Sequence, residues 1–266
     1  MPRKKRKTIS ELISLKGKRT LITGAASGIG KAIALRFAEA GSNLELVDIN
    51  EELLKKIEKE LKKYKVEVNT HIVDLTKWKE IDKLWDKLKG KEPEILVNNA
   101  GVYPFKKFLE VDRRFIEKVF SLNFESVFRM CQKMIKGRLN KGGVIVNIAS
   151  IEAITPFKND LSVYSASKGG VITLTRTLAK EFGKKFRVNA VVPGGIMTQT
   201  TKDLVKKLYK LEGEFIKAGI EYMWRLPFTR LGDPDEVARI VLVLSSDLST
   251  YVNGTLVVVD GGFLSA

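Results

Sequence analysis

The sequence predicts an α/β fold: a doubly wound parallel sheet with helices on both faces, in a single domain. Three observations carry that expectation. Strand-like apolar runs alternate with helical periods from residue 18 almost to the end. Runs such as 144–148, interrupted only by Asn147, and 256–259 are Val, Ile and Leu, the pattern of parallel strands covered on both faces. A glycine-rich turn also joins the first strand directly to the first helix.

In order, residues 18–23 read as a strand and 30–40 as a helix. A strand over 43–48 precedes a helix over 51–64, and a strand over 66–73 precedes a helix over 78–89. The fourth strand is expected at 94–98, before a long helical stretch across 111–136. Residues 144–149 form the fifth strand, 163–182 a helix and 187–192 the sixth strand. Helical periods over 200–220 and 234–246 lead to a short closing strand at 256–259. No linker rich in Pro, Gly or Ser divides the chain, so residues 15–266 read as one domain.

Composition excludes several classes. With 266 residues and 44% apolar content the chain can bury a core without disulfides or a structural metal. Cys131 is the single cysteine, so no intrachain disulfide forms, and a reducing, cytoplasmic setting is expected. No apolar run reaches the ~18–20 residues of a membrane span. Lys and Arg number 47 against 31 for Asp and Glu, a net charge of +16. Five of those cations are Arg3, Lys4, Lys5, Arg6 and Lys7. The rest are spread over charged helix faces, which reads as solvated surface. Residues 1–14 are expected to be a basic, flexible extension. Its composition fits a nucleic-acid patch, but no zinc spacing, basic zipper or RNA-binding signature accompanies it, so nucleic acid is not an expected partner.

The chemistry-bearing motifs sit at predicted strand ends. The turn Thr23-Gly24-Ala25-Ala26-Ser27-Gly28-Ile29-Gly30 lets backbone N–H groups approach a pyrophosphate. Asp48 closes the second strand, placed to accept from the diol of an adenosine ribose and to repel a 2′-phosphate, which favours NAD over NADP. A competing role is that Asp48 caps the next helix. Tyr164 and Lys168 lie four apart on one helical face, where an ammonium favours a phenolate and prepares the tyrosine for proton exchange. Asn98-Asn99-Ala100-Gly101, Asn147-Ile148-Ala149-Ser150 and Pro193-Gly194-Gly195 follow the fourth, fifth and sixth strands. Carboxyl ends of parallel strands share one edge, so these clusters converge on one crevice of a Rossmann-type sheet.

Taken together, T-G-x-x-x-G-I-G, N-N-A-G, a serine ending the fifth strand, Y-x-x-x-K and P-G, in that order, resemble the short, single-domain form of the short-chain dehydrogenase/reductase family. The resemblance runs from about Leu15 to Phe263. It implies that Ser150 bonds the substrate oxygen and that Tyr164 is the general acid or base. It implies that Lys168 lowers the tyrosine pKa and binds the nicotinamide ribose. Asn123 would position a water in a proton relay, and its mid-helix place calls for a local kink. For the cofactor it implies Gly24, Ser27, Gly28, Ile29 and Gly30 at the pyrophosphate, Asp48 at the ribose, and Asp74 and Leu75 at the adenine. Asn98, Ala100 and Gly101 would form the adjacent wall, and Pro193, Ile196 and Thr198 would hold the carboxamide. No metal is implied. The family commonly forms tetramers, so a homotetramer is expected.

Three segments are expected to shape the substrate pocket: 102–105, 151–161 and a lid at about 197–230. Glu152, if it faces the pocket, suits a polyol or sugar and disfavours an acidic substrate; otherwise it is a solvent-facing loop charge. Tyr222, Met223, Trp224 and Arg225 either stack on a substrate or pack as core. His71 and Cys131 read as structural. The leading expectation is an NAD-linked oxidoreductase interconverting a secondary alcohol with a ketone or lactone. The alternatives are a 3-oxoacyl-carrier-protein reductase using NADPH, and a non-catalytic NAD-binding protein with a nucleic-acid-binding tail.

Overall fold

In the computed structural model the described residues are 6–199, 201 and 221–266. Seven parallel strands form one sheet in the order β3-β2-β1-β4-β5-β6-β7. They are β1 (Arg19–Thr23), β2 (Asn43–Asp48), β3 (Val68–Ile72), β4 (Ile95–Asn98), β5 (Gly143–Ile148), β6 (Phe186–Pro193) and β7 (Leu256–Val259). The strand order reverses between β1 and β4, and that switch point opens the cleft at the carboxyl edge.

The helices are α1 (Ile9–Ile13), α2 (Gly28–Glu39), α3 (Glu51–Leu61), α4 (Trp78–Lys87), α5 (Arg113–Phe120), α6 (Ser126–Arg138), α7 (Ser162–Phe182) and α8 (Pro234–Ser245). Two apolar cores flank the sheet, because neighbouring residues of a strand face opposite ways. Leu21, Leu96, Ile145 and Val188 join α4, α6 and α7 on one face. Ile22, Leu46, Val97 and Val146 join α2, α3 and α8 on the other. The central strands β1, β4, β5 and β6 are therefore buried on both faces along most of their length, whereas the edge strand β3 carries Asn69, Thr70 and His71. No helix among the described residues is long and apolar enough to cross a membrane.

Three expectations change. The basic extension is not frayed throughout: Thr8 and Glu11 form a capping box that starts α1, and Lys7 pairs with Asp247 at 2.6 Å. The stretch across 111–136 is two helices joined by a π-helical turn at Ser121–Glu125, which supplies the kink expected at Asn123. The helix expected over 200–220, and most of the lid, lie outside the described residues.

One buried polar cluster stands away from the cleft. Glu45 on β2 is 2% exposed and accepts from His71 at 2.6 Å, from Asn69 at 3.1 Å and from Arg19. Burial alone would raise its pKa, yet the bonds from His71, Asn69 and Arg19 outweigh it and hold the carboxyl below 4.5. His71 is thus a structural partner, as its sequence context implied.

Candidate active site

The glycine-rich turn leaves β1 and enters α2 at the switch point. Gly24 takes φ +62°, a left-handed backbone that favours glycine. A Cβ on Gly30 would stand 2.0 Å from the Gly24 carbonyl oxygen, so only glycine lets the turn close. Ser27 begins α2 with no side-chain cap bond, and its side chain is exposed at the helix N-terminus. Free N–H groups there, with the dipole behind them, suit an anion. Thr198 closes the far side: its Cγ2 would be 3.3 Å from a Cβ at Gly28.

Asp48 ends β2 and reaches back to this turn. One carboxylate oxygen accepts from the Ala26 N–H at 3.1 Å, the other from the Asn50 N–H at 3.0 Å. It does not cap the next helix; Asn50 does, accepting from Leu53 at 3.0 Å. Asp74 follows β3, accepts from the Thr76 hydroxyl and N–H, and is 3.1 Å from Lys77.

The side chains of several expected cofactor residues are engaged within the protein. The Asn98 side chain turns away from the cleft edge, donating to Asn147 at 2.9 Å and to the Cys131 sulfur at 3.3 Å. Its neighbour Asn99 does the shaping instead. Asn99 Nδ2 donates to the carbonyls of Thr23 and Gly24 at 3.0 and 3.1 Å, pinning the turn to β4. The Asn-Asn pair held that signal, but strand alternation decides which member points where. Leu75 and Ile196 are core side chains, 5% and 7% exposed, so only their backbones border the cleft. Ala100 N–H is fixed on the Thr23 hydroxyl at 3.1 Å, and Pro193 ends β6.

Ser150, Tyr164 and Lys168 come together beyond β5. Ser150 hydrogen-bonds Tyr164 and accepts from the Glu152 N–H at 3.3 Å. Lys168 Nζ, 4% exposed, donates to the Ile148 carbonyl at 2.8 Å. Burial lowers its pKa to about 8. Burial also raises Tyr164 to about 12, against the opposing bond from Ser150. Asn123 is fully buried: its Oδ1 accepts from the Val102 N–H at 2.8 Å, and Nδ2 donates to the Val102 carbonyl and Ser167 hydroxyl at 3.0 and 3.2 Å. A Cβ at Gly101 would be 3.2 Å from Asn123 Oδ1 and 3.5 Å from Lys168 Nζ, so Gly101 lets these groups close up.

Aromatic rings line the substrate side. Tyr103 packs edge-on against Tyr164 at 4.6 Å and against Phe105 at 5.0 Å. Tyr222 stacks on Phe263 at 4.6 Å, and its hydroxyl accepts from the Gly195 N–H at 2.6 Å. Its ring packs in the core beside Phe157 and Phe263. Arg225 lies over Phe263 at 4.7 Å, with its Nε buried and without a hydrogen-bond partner among the described residues. Glu152 is 5% exposed, not a solvent-facing loop charge, and burial raises its pKa. Trp224 is exposed.

Comparison with known proteins agrees with this geometry. A family model described as enoyl-(acyl carrier protein) reductase matches residues 24–264. The chain is 36% identical over 254 residues to 3-oxoacyl-[acyl-carrier-protein] reductase FabG of Thermotoga maritima, covering 94% of this chain and 99% of that one. It is 35% identical over 257 residues to L-xylulose reductase of Bos taurus, covering 95% and 99%. The structure of L-sorbose reductase from Gluconobacter frateurii, complexed with NADPH and L-sorbose, superimposes with a TM-score of 0.89 at 30% identity, covering 96% and 99%. With the parallel sheet, the glycine turn and the Ser150–Tyr164–Lys168 cluster at one edge, these matches establish that the chain belongs to the short-chain dehydrogenase/reductase family.

Proposed function

We propose that this oxidoreductase interconverts a secondary alcohol of a small sugar, polyol or cyclic compound with its ketone or lactone, preferring NAD. The observation that carries the reading is the meeting of Ser150, Tyr164 and Lys168 beside the glycine turn. The cleft fits a dinucleotide: Gly24 and Gly30 let the turn close tightly onto β4, and the α2 N-terminus presents N–H groups toward it. Gly24 to Gly30 would hold the pyrophosphate, Asp48 the adenosine ribose, and Lys168 the second ribose. When bound, the nicotinamide supplies hydride exchange and, once oxidised, a positive charge.

The chain's own residues handle the proton and the oxygen. In reduction, Tyr164 Oη gives its proton to the carbonyl oxygen as hydride reaches the carbon. Ser150 Oγ donates to the same oxygen and stabilises the developing charge. A tyrosine held protonated by burial is ready for that direction. In oxidation Tyr164 must first lose its proton, which the Lys168 ammonium favours. Asn123 acts as a positioning residue, because its amide is committed to Val102 and Ser167. It holds the 102–105 segment against α7.

Asp48 supports NAD, since its carboxylate is braced at the ribose position and repels a 2′-phosphate. The 3-oxoacyl-carrier-protein reaction is the second reading. The 36% identity to the Thermotoga maritima enzyme favours it, and Asp48 argues against its NADPH. The test is nicotinamide absorbance over sugars, polyols, cyclic alcohols and 3-oxoacyl thioesters, with NAD(H) and NADP(H) in parallel. NAD-linked turnover of an alcohol or its ketone is expected. Turnover confined to NADPH and a thioester would replace this reading with the second.

A further inference from the structure

The loop after Ser150 turns on a buried carboxylate. Glu152 accepts from the Phe157 N–H at 3.1 Å and from the Lys158 N–H, so residue 152 closes the loop onto residues 157 and 158. The same loop is tied to the segment carrying Tyr103 by the Lys106 N–H on the Asp160 carbonyl at 2.9 Å. Glu152 is thereby spent on backbone, and does not face a substrate as a free carboxylate. Its effect is to aim the next side chain inward. Lys158 Nζ lies 6.0 Å from the Tyr103 ring centre and 5.7 Å from that of Tyr222. Tyr103 is itself edge-on to Tyr164 at 4.6 Å. The ammonium therefore stands one ring away from the proton-exchanging tyrosine.

That cation is under-partnered. Among the described residues Glu152 is the one carboxylate that attracts it, and burial outweighs that attraction, lowering its pKa. Ring faces hold an ammonium, but they do not replace the hydrogen bonds that water would give it. A half-buried ammonium with no ion pair among the described residues adds little to stability. It is well suited to pairing an anion that arrives with the substrate.

We propose that Lys158 is the specificity-determining cation of the pocket, and that it selects a small hydroxy or oxo acid by pairing its carboxylate. The inference rests on the oxidoreductase reading above and narrows it: the polyol-like substrate carries an acid. It also reverses the sign expected from Glu152 alone. The anion must lie within a few bonds of the reacting carbon, because Lys158 is one ring from Tyr164. The phosphate of a carrier-protein arm lies at the far end of a long chain and does not meet that condition.

The test compares hydroxy acids with their neutral methyl esters or polyols, gluconate against glucitol among them. Wild type, Lys158→Met and Lys158→Arg are measured with NAD and NADP. Wild type is expected to favour the acid of each pair. Lys158→Met should lose roughly 10- to 100-fold more kcat/KM on acids than on their neutral partners, mainly through KM. Lys158→Arg should recover most of that preference. Equal losses on both members, or no preference for acids in wild type, would overturn the proposal. If no member shows Tyr164-dependent turnover, the oxidoreductase reading itself fails. Calorimetry of gluconate binding with NAD present then decides for Lys158 separately: saturable binding lost in Lys158→Met supports it, and no binding to wild type refutes it.

Discussion

Between β1 and β4 the cleft is shaped by backbone; beyond β5 it is shaped by side chains from loops far apart in sequence. On the nucleotide side a left-handed Gly24, a cramped Gly30 and the Asn99 amide fix one short turn. On the substrate side Tyr103, Lys158, Tyr222 and Arg225 meet only after folding. Backbone constraints leave fixed residue types at fixed spacing, because few residues tolerate such geometry. Side-chain constraints leave no spacing rule, since any loop of suitable length can deliver a ring or a charge. On the proposed reading, the first half holds the cofactor and the second chooses the substrate.

The sharpest way to break the backbone half is Gly30→Val. Its branched side chain would meet the Gly24 carbonyl and the Asn99 amide, so the turn must open. Cofactor affinity, followed by titrating nicotinamide fluorescence, should fall at least about 100-fold, a loss of roughly 3 kcal/mol. Unchanged affinity would show that the turn is not the pyrophosphate cradle. Asp48→Ser is gentler, since it removes a charge and leaves the glycines in place. The ratio of kcat/KM for NAD over NADP should drop about tenfold or more, the effect of one removed repulsion. An unaltered ratio would remove the basis for the NAD preference.

The two halves also hold contrasting buried carboxylates, and pH separates them. Glu45 sits among His71, Asn69 and Arg19, which together hold its pKa below 4.5. Its ionised form is favoured by folding, so its contribution is fully present above pH 4.5 and is lost as pH falls through the lower folded value. Glu45→Gln should cost about 2 kcal/mol in urea unfolding at neutral pH, less than a fully buried pair because Arg19 and His71 touch solvent. Glu152 is the reverse. Burial raises its pKa above 4.5, so its favourable term is present below that value and is lost as pH rises through the higher folded one. Glu152→Gln should therefore gain on wild type as pH rises from 4.5 towards neutrality, by less than the Glu45 effect. Parallel pH slopes for the two variants would show that the environments do not differ as described.

How much could be read in advance follows the same division. The strand and helix order was legible because the central strands are mostly apolar and several of the strand ends carry glycine or asparagine. Ser150, Tyr164 and Lys168 were legible through their order and spacing, and the π-turn through the need to place Asn123. The choice between Asn98 and Asn99 was not, because it depends on the phase with which β4 ends. Leu75 and Ile196 were read as cofactor contacts; their side chains lie in the core, so a contact there would be made by backbone. Lys158 was not legible at all. Among 47 Lys and Arg residues nothing local marks the one that a buried glutamate turns inward.

The central claim is that Tyr164 moves the proton while other groups hold the cofactor. It is tested most directly by measuring NAD affinity and alcohol turnover side by side in wild type and Tyr164→Phe. Turnover should fall about 10²- to 10⁴-fold, the usual weight of a general acid or base, with NAD affinity changed by no more than a few fold. Turnover near the wild-type rate in Tyr164→Phe would contradict the account, because hydride transfer would then proceed without the hydroxyl assigned to move the proton.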